Sequence, residues 1–103
     1  MVVCNSKLSL LIVPVSACDA TNWKDLDKGM VCGPCKGLVD NMRHRSCNNF
    51  CNEIGRRCVG AWEERNEDCQ VKSTETCDHI FSDTSDAICE CEDNLYRKSL
   101  NRS

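Results

Sequence analysis

Apolar and polar positions change period twice along residues 46–72, and the changes mark a helix followed by two strands. Ser46 is a good helix N-cap, and Cys47, Phe50, Cys51 and Ile54 follow at i, i+3, i+4 and i+7. That spacing puts two cysteines and two apolar side chains on one helical face. Gly55 supplies the left-handed residue that ends such a helix. Residues 58–62 (CVGAW) then read as a strand, 63–68 (EERNED) as a charged turn, and 69–72 as a returning strand.

Upstream, Leu38, Val39 and Met42 have one-face spacing, which predicts a short helix over residues 36–44. Residues 18–30 are polar around the single anchor Trp23 and are expected to lie over the surface as an extended arm. Downstream, 74–85 reads as polar loop around Phe81. Residues 87–92 (AICECE) alternate, with Cys89 and Cys91 on one face and Glu90 and Glu92 on the other. The predicted class is α+β: a small disulfide-rich domain with one or two short helices on a small antiparallel sheet.

Composition narrows the setting. The chain has 103 residues, 11 cysteines and 5 % aromatic residues, too few for a large apolar core. Its net charge of -3 gives no basic stripe for nucleic acid. Residues 1–17 carry Lys7, then an apolar run over 8–15, then Ser16 and Ala17, the layout of a signal peptide. The run is too short to span a membrane. Cleavage after Ala17 removes Cys4 and leaves Cys18, Cys32, Cys35, Cys47, Cys51, Cys58, Cys69, Cys77, Cys89 and Cys91. An even set suits full oxidation. The expected organisation is a leader over 1–17, an extracellular disulfide-rich domain over 18–92 and a polar tail over 93–103. Asn101-Arg102-Ser103 is a glycosylation sequon.

Several constellations bear on chemistry. Cys32-Gly33-Pro34-Cys35 resembles the thioredoxin redox motif, but the preceding residues are polar and no proline follows Pro34. Two structural half-cystines at a tight turn fit the context better. Zinc on Cys32, Cys35, Cys89 and Cys91, or with His44 and His79, is opposed by an oxidising compartment. Glu63, Glu64, Glu67, Asp68, Asp83, Asp86, Glu90 and Glu92 offer oxygen ligands for weak calcium association. They lack the spacing of a calcium loop, and solubility charge is the plainer account. No cofactor motif and no catalytic nucleophile stands out.

The stretch 46–72 (SCNNFCNEIGRRCVGAWEERNEDCQVK) resembles the core of a PAN/apple module, with Cys-x3-Cys on a helix and a cysteine on each of two strands. The resemblance implies bridges Cys51–Cys58 and Cys47–Cys69, and binding to extracellular protein or carbohydrate. The expected role is a non-enzymatic structural, matrix or binding module. The alternative is a secreted toxin, inhibitor or signalling peptide. The candidate binding surface is Trp62 with Glu63, Glu64, Arg65 and Asn66; the competing expectation, slightly favoured, is that Trp62 fills the core between helix and sheet.

Overall fold

The computed structural model describes residues 18–93. The leader over 1–17, the sequon at Asn101 and all of the tail beyond Asp93 lie outside the described residues. Five strands and one helix follow in the order β1 (Leu26–Gly33), β2 (Lys36–Val39), α1 (Cys47–Glu53), β3 (Cys58–Arg65), β4 (Gln70–Glu75) and β5 (Ala87–Cys91). The sheet is antiparallel throughout, in the order β1-β2-β5-β3-β4, so the last strand lies at its centre. The α+β class is the observed one.

Helix α1 forms as its sequence dictates. The Ser46 hydroxyl accepts the Asn49 backbone N–H at 3.2 Å, and Asn49 Oδ1 accepts the Ser46 N–H at 2.9 Å. This reciprocal cap satisfies two otherwise orphaned donors. Gly55 follows the helix at φ +74°. The buried face, Cys47, Phe50 and Cys51, packs on the sheet with Val39, Met42, Ala61, Phe81, Ala87, Cys89 and Cys91. Trp23 closes one side, its ring 5.8 Å from Phe50.

Several expected elements differ, and the strand from Cys58 runs to Arg65 through the first half of the expected turn. Residues 36–39 are strand β2, not the start of a helix. Gly37 lies where an added Cβ would meet Leu26 Cδ2 at 2.5 Å, so it gives β1 and Trp23 room to close over β2. Asn41 and His44 both have positive φ, which breaks any helix over 36–44. The expected arm becomes strand from Leu26 onward, and β4 runs to Glu75. The Cys-Gly-Pro-Cys segment carries the two-residue turn of the β1–β2 hairpin, Pro34 and Cys35, with Gly33 opposite Lys36. Proline presets the first turn position and Cys35 takes φ +51° at the second.

The bridges are Cys18–Cys35, Cys32–Cys69, Cys47–Cys89, Cys51–Cys91 and Cys58–Cys77. The pairs Cys51–Cys58 and Cys47–Cys69, which the apple-like frame implied, are therefore not formed. The helix is clamped instead to β5. Cys32–Cys69 ties edge strand β1 to the turn between β3 and β4. In a flat sheet, β1 and β3 stand three spacings apart, about 14 Å. The two Cα atoms are 5.5 Å apart, so the sheet curls towards the face opposite the helix. On that face Leu38 and Ile88 are paired and fully buried.

Peptide mapping of the unreduced protein is expected to recover Cys47–Cys89 and Cys51–Cys91. Replacing Cys47 and Cys89 together by Ala opens a link 42 residues apart in sequence. In the chain-entropy treatment this costs about 4 kcal/mol of stability, measured by urea unfolding. The Cys47→Ala change alone leaves an odd thiol and is expected to scramble the remaining pairs.

Candidate functional site

Where the sheet curls, carboxylates from separate segments meet. Leu26, Val39 and Ala87 lie in register or in the helix-side core, so Asp27, Asp40 and Asp86, their chain neighbours, fall on the opposite side. The fourth segment is the β3–β4 turn. Asn66 and Glu67 both take positive φ, and the buried Glu64 carboxylate accepts the Glu67 N–H at 2.6 Å. The neighbouring Cys32–Cys69 bridge holds this turn against β1. One carboxylate oxygen each from Asp27, Glu67 and Asp86 lies within 4.8 Å of the others.

These groups are poorly compensated. Asp86 is only 5 % exposed. Its Oδ1 accepts Ser85 Oγ at 3.3 Å. Asp27 Oδ2 is closed to solvent and accepts no hydrogen bond from outside the carboxyl cluster. Asp40 Oδ1 accepts the Asn41 N–H at 2.8 Å. Lys28 is 3.9 Å from Glu67, and both side chains are largely exposed. Burial first, then a carboxyl–carboxyl hydrogen bond with Asp40, the negative charges of Asp27 and Asp40, and a second carboxyl–carboxyl hydrogen bond with Asp27 raise the Asp86 pKa to about 7. The carboxyl therefore resists ionising.

The expected Trp62 surface does not form one patch. Trp62 is half-buried on the face away from the helix, with Lys36 Nζ 4.0 Å above its ring. Its neighbour Ala61 carries the contact with the helix-side core instead. Glu63 is opposite Ala87 and lines a shallow cleft of about 140 Å³ with Glu75, His79, Phe81, Ser82, Asp83 and Thr84. There His79 Nδ1 is 3.4 Å from Glu75, and Lys72 is 3.8 Å from Glu63. Glu64 is buried behind the turn, and Arg65 and Asn66 are exposed along it.

Among the other acidic residues, Asp68 caps the Gln70 N–H, Glu92 pairs with Arg57, and Glu90 is opposite Lys36. Of the expected calcium ligands, Glu67 and Asp86 come together with Asp27, one carboxylate oxygen of each within 4.8 Å of the others. Asp27, their third partner, is invisible to a reading that treats 18–30 as an arm, and LDKGMVCG shows no alternation that would place it. Cys32 and Cys35 are bridged to different partners, Cys69 and Cys18. Cys89 and Cys91 are bridged as well, so the four cysteines considered for zinc are all oxidised.

The raised Asp86 pKa has a direct consequence for stability. A folded-state pKa above the unfolded value favours folding with the proton bound. That contribution is full below the ordinary value of 3.8 and is lost as pH rises towards about 7. With divalent cations chelated, urea unfolding is expected to show stability falling across this window and levelling above it. Asp86→Asn should flatten the profile and be more stable than the wild type at pH 8, by roughly one to a few kcal/mol. Equal slopes in the two proteins would contradict this account.

Comparison with protein-family models, curated proteins and solved structures finds no match to this chain.

Proposed function

We propose that this chain is a secreted, non-enzymatic module of the extracellular space, with a structural or matrix role exercised by binding protein or carbohydrate. The observation that carries this reading is that all ten cysteines from Cys18 to Cys91 are joined in five bridges. Thiols are held in this state in oxidising compartments, and small secreted domains use such bridges where the apolar core is thin. The hydrophobic run before Ala17 supplies the export signal. Bridging of Cys32 and Cys35 to separate partners removes the one dithiol that resembled a redox centre. The cross-linked frame holds its loops in fixed positions, which lowers the ordering cost of binding.

Expression through a secretory pathway should yield protein in the medium beginning at Cys18. Its intact mass should lie about 10 Da below the reduced value, one hydrogen for each thiol. Recovery of folded, reduced protein with Met1 intact in the cytosol would overturn the location. The binding role is tested by retention on cell-deposited matrix and by a glycan array. Protein that stays wholly in the medium and binds no glycan overturns it.

A further inference from the structure

We propose that Asp27, Glu67 and Asp86 form a calcium-binding site, closed by the Cys32–Cys69 bridge. Their oxygens come from strand β1, the β3–β4 turn and the residue before β5, and all lie within 4.8 Å. Calcium takes oxygen ligands at about 2.4 Å, so two ligands on opposite sides of one ion are about 4.8 Å apart. Magnesium, at about 2.1 Å, requires a tighter octahedron. The donor set is all oxygen, which selects a hard cation over zinc.

The corner is built in a way that solubility charge does not explain. Asp86 is 5 % exposed, and Asp27 Oδ2 is sealed from water with no donor from outside the carboxyl cluster. A buried carboxylate oxygen left without a donor is costly, and it calls for a proton or a cation. Asp27 from β1, Asp40 after β2 and Glu67 on the turn face Asp86, and Lys28 lies beside Glu67. The lysine approaches only the outer carboxylate, Glu67. A divalent ion would answer the mutual repulsion from inside, with water filling its remaining positions. Affinity in the range of extracellular modules, about 10⁻⁴–10⁻³ M, is expected for so few carboxylates. Occupancy in the organism rests on the extracellular location proposed above; binding itself does not.

The test uses the full oxidised chain, stripped with chelator, at pH 7.5 and constant ionic strength. Calcium chloride is titrated to about 10 mM while thermal unfolding and backbone amide spectra are followed. A saturable rise in Tm of several degrees is expected, with amide shifts centred on Asp27, Glu67 and Asp86. Asp86→Asn and Asp27→Asn should each abolish the response, and Glu75→Gln, in the separate cleft, should keep it. Should Asp86→Asn fail to fold, Glu67→Gln on the exposed turn carries the same test. An absent response overturns the site, as does one matched by magnesium or sodium or one that survives these variants. A secreted, oxidised protein that ignores calcium would refute the site and leave the extracellular reading standing.

Discussion

The fold depends on a match of spacing between one helical turn and one strand. Cys47 and Cys51 are four residues apart on α1, a rise of about 6 Å. Cys89 and Cys91 are two residues apart on β5, a rise of about 6.6 Å. The pairs Cys47–Cys89 and Cys51–Cys91 therefore form two rungs of nearly equal pitch between parallel-running elements. Because β5 is the middle strand, fixing the helix to it fixes the helix to the whole sheet. Two rungs also forbid rotation of the helix about its axis, which one bridge permits. Phe50 is thereby held in the core it shares with Val39, Met42, Ala61, Phe81 and Ala87.

The remaining bridges close the periphery onto this centre. Cys58–Cys77 ties the start of β3 to the loop after β4, whose Phe81 pairs through its backbone with Arg45 and fills the core. Cys18–Cys35 fastens the chain before β1 to the hairpin turn, and the Arg56 guanidinium donates to the Glu92 carbonyl beside it. Ion pairs add a lighter closure. Glu53 lies 3.0 Å from Lys24 and 2.6 Å from Arg45, and the Lys24 hydrogen bond is the first cause of its lowered pKa. Both partners in that contact are substantially exposed, so it orients the arm more than it stabilises the fold.

Much of this was legible in the sequence where local period and tertiary packing agree. The Ser46 cap, the cysteine face of α1, the Gly55 stop and the alternation of β5 are all set by neighbouring residues. Segment 36–39 was misleading because Leu38 and Val39 are both buried, one on each face of a curled sheet. Burial on two faces erases the alternation that identifies a strand. The pairing was the other loss. Spacing places the cysteines of α1 on one face and those of β5 on one face, but nothing local joins segments some 40 residues apart. The apple-like frame favours nearer partners, and short loops are a poor guide when a distant strand occupies the sheet centre. Asp27 was hidden for the same reason: its acidic neighbours in space come from other segments.

The same bridge that curls the sheet creates its electrostatic weak point. Cys32–Cys69 brings the β3–β4 turn to β1 and buries Leu38 and Ile88 on the concave side. It also delivers Glu67 to a corner already holding Asp27, Asp40 and Asp86. Like charges at such separations repel strongly when water is excluded. A fold held by non-covalent contacts alone would relax by letting the turn swing away. Here the covalent tie prevents that, and the repulsion is answered by a proton on Asp86 or by a cation among the carboxylates. Cross-linking thus does more than offset a thin core. It allows an arrangement of charge that the uncross-linked chain would not keep, and it leaves that corner responsive to the pH and ions around the protein.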